Sequence, residues 1–185
     1  MKDEAISISK KKAQEELDLF LNNIKTVVLS TVNSEGEPFA SYSPFVQDDE
    51  GNFYVFVSTV VQHSHNMYNT GKAHLLFVED ETITKHIYAR RRLYFKAQVE
   101  KFEAQDERFE KIAQLFEQQH GEQASLVRRM IDSRFYKLTP YDGTLVLGFG
   151  AAFKLDKTNK KIEKLETMNG KAHSIVHEEG LRKDA

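Results

Sequence analysis

The chain has no cysteine and no tryptophan, and its proline is confined to Pro38, Pro44 and Pro140. Without cysteine there is no thiol nucleophile, no thiolate-ligated haem, no iron–sulfur cluster and no cysteine zinc site. An excess of one charge is missing too. The 26 Lys and Arg against 28 Asp and Glu leave a net charge of -2, which gives no overall pull toward nucleic acid or anionic lipid. No stretch approaches the roughly 20 apolar residues of a membrane span, and the opening MKDEAISISKKKAQEELDLF has no apolar core of signal-peptide length. These absences predict a soluble cytoplasmic protein with neither nucleic acid nor membrane as a partner. The motifs G-x-S-x-G, G-x-G-x-x-G and Walker A are absent as well, and the G-F-G of Gly148 to Gly150 is too short for a phosphate loop and predicts a bulge or close packing.

What is present is enough apolar material for one domain. A chain of 185 residues buries roughly 70% of the surface its unfolded form exposes, so it needs neither disulfides nor a structural metal. Ala13, Leu17, Phe20, Leu21 and Ile24 recur at helical spacing behind a candidate N-cap, Ser9. The period then changes. TVVLSTV, FASYSPFV and FYVFVS, joined by Asn33 to Pro38 and by QDDEGN, predict antiparallel hairpins. After the polar VVQHSHNMYNTGK, with a helix stop over Asn69 to Lys72, AHLLFVED and RLYFKAQVEKF resume the strands. Phe109, Ile112, Ala113 and Phe116 mark a helix, and Leu126, Val127, Met130 and Ile131 a second one after Gly121. RFYKLTP and TLVLGFGAAFKL read as two final strands separated by a turn at Pro140 to Gly143. The pattern predicts a mainly β protein with flanking helices, its strands closed into an antiparallel barrel. One domain over 1–155 includes a helical insert at about 104–131, and a polar tail without a core pattern runs over 156–185.

Seven histidines are the side chains whose unperturbed pKa lies near neutrality. His74 at the start of a strand and His120 at the end of a helix read as structural. His63 and His65 sit between strands, where side chains can be aimed into a barrel-mouth pocket. Their H-x-H spacing is a zinc pattern in outline, with Glu79 the next acidic residue downstream and His63 the stronger pocket candidate. His173 and His177 are four apart, so a helical tail would place both imidazoles on one side, suiting a metal ion or haem iron. Arg90, Arg91 and Arg92 precede an alternating strand, so Arg90 and Arg92 are expected on one face and Arg91 on the other. Two guanidinium groups so placed suit a phosphate or a pair of propionates. Asp132, between an apolar helix and a strand, could cap a backbone or orient an imidazole.

Taken together, several segments resemble the HugZ/HutZ-type haem-utilisation proteins of the pyridoxamine 5′-phosphate oxidase-like split-barrel superfamily. They are SYSPFVQDDEGNFYV at Ser41 to Val55, H-x-x-N at His63 to Asn66, FVEDET at Phe77 to Thr82, YARRRL at Tyr88 to Leu93, GFGAAF at Gly148 to Phe153 and EEG-x-RK at Glu178 to Lys183. The likeness runs in order from about Asn22 to Lys183. It implies an FMN-binding-type split barrel, a homodimer that binds haem at its interface and, in several members, cleaves it oxidatively to release iron with an external electron donor. It further implies an axial histidine in the C-terminal tail, an assisting carboxylate at Asp132 and an anion-holding pair at Arg90 and Arg92. The family's tail ligand falls on Leu181 here, which cannot bind iron, so His177 beside the EEG, or His173, is the candidate in its place. Flavin-binding relatives hold the FMN phosphate with Arg and Lys where this chain has Gln62 and His63. An FMN-dependent oxidoreductase and a non-catalytic haem carrier are therefore the alternatives to a haem-degrading enzyme.

Overall fold

The computed structural model describes residues 8–165 except positions 104, 157 and 159. The first helix, α1, spans Lys10–Asn23, and Ser9 caps it as expected, its side chain accepting from the Lys12 backbone N at 3.3 Å. Ala13, Leu17 and Phe20 form its buried stripe. β1 (Thr26–Val32) and β2 (Pro38–Gln47) form the first hairpin. Asn33 builds its turn by accepting at Oδ1 from the backbone N of Glu35 and Glu37. Asp48 does the same between β2 and β3 (Phe53–Ser58), accepting from Glu50 and Asn52. Both turns follow from the short carboxamide or carboxylate side chain that mimics a backbone acceptor.

The helix α2 (Gln62–Thr70) ends at Gly71, whose φ of 64° is the left-handed conformation that favours glycine at a helix stop. β4 (Lys72–Val78) and β5 (Arg92–Phe102) follow, then α3 (Arg108–His120) with a 3₁₀ segment over Gly121–Arg129. The chain finishes with β6 (Ser133–Val146), β7 (Ala152–Leu155) and β8 (Ile162–Leu165).

The strands run in the order β3-β2-β1-β4-β5-β6, and β3 pairs with β6 from Phe53↔Leu138 to Ser58↔Ser133. That last pairing closes an antiparallel barrel, the predicted fold class, with β7 and β8 extending the sheet beyond β6. Closure leaves no free edge among the barrel strands. Its interior is aromatic: Phe45, Phe53, Phe77 and Phe95 pack with ring centroids 5.0–6.1 Å apart. α1 covers this core with Ala13, Leu17 and Phe20. A second core lies outside the barrel, where Ile112, Ala113 and Phe116 of α3 pack on Val46, Tyr54, Phe102 and Phe135. His120 belongs to that packing, its Nε2 lying 2.9 Å from the Phe45 carbonyl, in keeping with a structural role.

Two expectations are corrected. There is no turn at Pro140 to Gly143: β6 runs straight through, with Pro140 opposite Ala97 and Asp142 opposite Lys96. Tyr141 is the extra residue of a bulge, and the break in the ladder accommodates the neighbouring Pro140, which lacks an N–H. The segment after Leu155 also carries a core residue. Ile162 is buried, and the Gln14 side chain clamps this stretch by donating to the Lys160 carbonyl and accepting from the Ile162 N, both at 2.9 Å.

Candidate functional site

Asp132 stands just before β6, on an exposed turn. Its Oδ2 accepts from Ser58 Oγ at 3.1 Å, and its backbone carbonyl accepts from the Thr59 N at 2.6 Å. Val60 and Ile131 flank it, 74% and 90% exposed. α2 begins at the same end. Its position is fixed by neutral hydrogen bonds: Ser64 Oγ lies 2.9 Å from Tyr136 Oη, Tyr136 Oη donates to the Ser64 carbonyl, and Asn66 Nδ2 donates to Thr31 Oγ1 at 3.1 Å. His63 on this helix is half-buried, and its Nε2 is buried with no hydrogen-bond partner. Burial lowers the His63 pKa, so the imidazole is neutral at pH 7. His65 is exposed, and among the described residues no group of three His, Asp or Glu could hold a metal ion.

The three arginines occupy the other end of β5. Their side chains do not alternate as expected, because β5 begins only at Arg92 and Arg90 closes the 3₁₀ turn Ile87–Ala89 with φ -52° and ψ 134°. Arg90 and Arg91 therefore converge on Glu79, the first residue of the β4–β5 connection. Arg90 donates from Nε to the Glu79 carbonyl at 3.1 Å, also reaches it from Nη2, and pairs with Glu81 at 2.8 Å. Arg91 holds the Glu79 carboxylate at 2.6 Å and Glu16 of α1 at 2.8 Å. Burial alone would raise the Glu79 pKa, but the Arg91 donors outweigh it and the net shift is downward.

Arg92 differs from both neighbours. Its Nε donates to Tyr94 Oη at 2.6 Å and its Nη1 to the Arg90 carbonyl at 3.0 Å. Both acceptors are neutral. Among the described residues no carboxylate pairs with Arg92, which leaves a cation on the outer face of the sheet without a counter-charge.

Exposed aromatic residues lie at the same end. Tyr88 is 80% and Phe149 65% exposed, and His86 meets the Phe149 ring edge-on at 5.3 Å. The G-F-G motif is neither bulge nor close packing but the β6–β7 turn, with Gly148 and Gly150 at φ 152° and 68°. A Cβ at either glycine would meet open space, so the sign of φ, not crowding, calls for glycine there.

The two groups are not brought together within one chain. β6 starts beside Asp132 and ends at Val146 opposite Arg92, and the ten steps of β5 from Arg92 to Phe102 span about 33 Å at ~3.3 Å per residue. His173 and His177 lie outside the described residues; β8 reaches Leu165 opposite Phe153, at the Arg92 end of the sheet. The sequence pattern gives no site role to Ser58, Tyr94 or Glu81, and marks Glu79 only as the acidic residue downstream of the H-x-H pair. Tyr94 was recoverable, since it alternates with Arg92 on one face of β5, whereas Glu79 and Glu81 meet the arginines only through the β4–β5 register.

A barrel closed by β3–β6, with a helical insert packed outside it and β7–β8 beyond it, defines an FMN-binding-type split-barrel protein. Residues 13–146 match the family model described as pyridoxamine 5′-phosphate oxidase. The chain is 32% identical over 140 residues to the haem oxygenase HutZ of Vibrio cholerae, covering 76% of this chain and 79% of that one. The crystal structure of HutZ, described as the haem storage protein of V. cholerae, superposes with a TM-score of 0.68 at 30% identity, covering 73% of this chain and 94% of HutZ. Campylobacter jejuni ChuZ superposes with a TM-score of 0.80 at 30% identity over 92% of this chain and 69% of ChuZ. The chain belongs to the HutZ-type family of pyridoxamine 5′-phosphate oxidase-like split barrels.

Proposed function

We propose that this protein binds haem and degrades it oxidatively to release iron, acting as a homodimer in the cytoplasm. Arg92, which has no carboxylate partner among the described residues, carries this reading. A guanidinium with only neutral partners is an open site for a carboxylate, and it lies at the same end of β5 as Tyr88 and Phe149, whose exposed rings suit a flat apolar macrocycle. Arg90 is the second propionate-holding cation. No helix among the described residues is long and apolar enough to cross a membrane.

The donor set fits haem on one condition. A bound haem would take its iron-binding nitrogen from the tail, as the resemblance implies, from His177 or, failing that, His173. Asp132 would accept the N–H of that imidazole with the carboxylate that Ser58 orients, and His63 would border the pocket as a neutral ring. Because Asp132 and Arg92 stand at opposite ends of the barrel, one pocket needs Arg90 and Arg92 from one copy and Asp132 and His63 from another. When bound, haem supplies the iron redox chemistry that consumes oxygen and the electrons of an external donor. The chain's own residues grip the propionates, orient the ligand imidazole and exclude water with aromatic walls.

A non-catalytic haem carrier is the second reading, favoured by Leu181 at the position where the resemblance places the ligand. FMN is the third, favoured by the family match, and would depend on Arg90 and Arg92 for its phosphate. Titration with hemin tests the first reading: a Soret shift saturating at one haem per chain and lost in His177→Ala supports it. No shift, or flavin bands in the purified protein, overturns it. Loss of the Soret band on adding ascorbate separates degradation from carriage.

A further inference from the structure

We propose that Glu81 is an internal stand-in for the ligand's anion, a carboxylate that occupies Arg90 and must be displaced before a propionate or phosphate can bind there. The inference rests on the reading of Arg90 as an anion-holding residue and adds a competitor to it. The neighbouring arginines provide the contrast. Arg91 is held by two carboxylates, one of them on the buried Glu79, and is a fixed structural cation. Arg92 has no carboxylate partner among the described residues. Arg90 falls between them.

Two of its nitrogens bind the Glu79 backbone carbonyl, which sets the direction of the guanidinium but leaves its charge uncompensated. The compensating charge comes from Glu81 Oε1, 2.8 Å from Nη1. Arg90 is 21% exposed and Glu81 69% exposed, so the cation is fixed and its partner is not. Glu81 belongs to a three-residue 3₁₀ turn, Glu81–Ile83, capped by Asp80, and that cap does not involve the Glu81 side chain. The pair also opens onto a cleft of about 580 Å³ between the end of α1 and the β4–β5 connection, with Ile24, Lys25 and Ile83 in its wall and Asp80, held by its cap to Thr82, as a second carboxylate that stays in place. An incoming anionic oxygen therefore has room to approach, and Glu81 can swing away into solvent without exposing a buried group. Exposed ion pairs are weak, which suits a contact that a bidentate, charge-assisted partner replaces.

The test is a double-mutant cycle on haem affinity in the full-length protein, using Glu81→Gln, Arg90→Ala and the pair, with haem, haem dimethyl ester and FMN as probes. Glu81→Gln is expected to tighten haem binding about two- to five-fold, the scale of an exposed ion pair. The gain disappears in the Arg90→Ala background and with the dimethyl ester, which has no free propionate. The same gain with FMN instead of haem would assign the displaced position to a phosphate. Unchanged or weaker haem and FMN binding by Glu81→Gln, with Arg90→Ala still weakening it, overturns the competitor role while the anion role of Arg90 stands. No effect of Arg90→Ala on either ligand removes the anion role, and the competitor with it.

Discussion

At the Arg92 end of β6 ion pairs tie α1 to the β4–β5 connection, while at the Asp132 end neutral hydrogen bonds tie α2 to the barrel. Charge at that second end is paired along the β5–β6 strands, Glu103 with Lys101 and Arg134. Glu79, Glu16 and Arg91 join α1 to the β4–β5 connection through ion pairs at 2.6 and 2.8 Å. Tyr136, Ser64, Asn66 and Thr31 join α2 to β6 and β1 without a formal charge among them. The difference shows how one barrel prepares two kinds of surface. Charge already paired with charge stabilises the fold, and Arg92, with no carboxylate partner among the described residues, is the cation the proposed function assigns to a ligand. At the opposite end the neutral network fixes α2, which carries the neutral His63 imidazole, and Asp132 is exposed beside its start.

The largest effect should come from breaking the charged tie. Glu79→Ala leaves Arg91 with a single, partly exposed partner and is expected to cost about 2–4 kcal/mol, a little under the loss for breaking a fully buried pair; urea denaturation measures it. Tyr136→Phe removes the hydroxyl that both donates to and lies against Ser64, and should cost about 1–2 kcal/mol, with little dependence on salt. A Tyr136→Phe loss that shrinks steeply with ionic strength would contradict the contrast between the two ends.

The two ends should also part company with pH. The Glu79 pKa is lowered from 4.5, so the folded state favours its charged form, and its contribution is complete above that value and lost as pH falls through the folded pKa. The His63 pKa is lowered from 6.5, so folding favours neutral imidazole. That contribution is complete above 6.5 and declines as the pH falls below it, because the unfolded chain takes up the proton first. His63→Leu should reduce the slope of the stability profile just below pH 6.5, where His74, whose pKa burial also lowers, contributes as well, and leave the more acidic limb intact. The smallest stability effect belongs to Arg92→Ala, within about 0.5 kcal/mol, yet the same change should weaken haem binding about tenfold or more, the worth of a charge-assisted hydrogen bond.

Much of the scaffold was legible because its signals are local. Ser9 ahead of a 3.6-residue stripe, Asn33 and Gly71 at their turns, and the alternation of Leu93, Phe95 and Ala97 each specify structure within a few residues. The sheet through Pro140 was missed because a bulge carries the same residues as a turn, and only the pairing of β6 with β5 tells them apart. β8 was missed because four residues with one buried apolar position, Ile162, give too short a pattern. The candidate site was readable in its residue types and not in its geometry. Alternation places Arg90 beside Arg92 only if the strand extends back to both, and it stops at Arg92. The partners Glu79 and Glu81 sit nine or more positions upstream, joined to the arginines by tertiary register that no spacing encodes.

In the proposed haem pocket Arg92 comes from one copy and Asp132 from another, and subunit complementation tests this most directly. Arg92→Ala and Asp132→Ala proteins, each failing to hold haem at a chosen concentration, are mixed and allowed to exchange subunits. Random pairing makes about half of the dimers mixed, each with one intact and one doubly altered pocket. Haem bound at about one quarter of the wild-type capacity is the predicted result. A mixture that binds no more than its parents would contradict a pocket shared between copies.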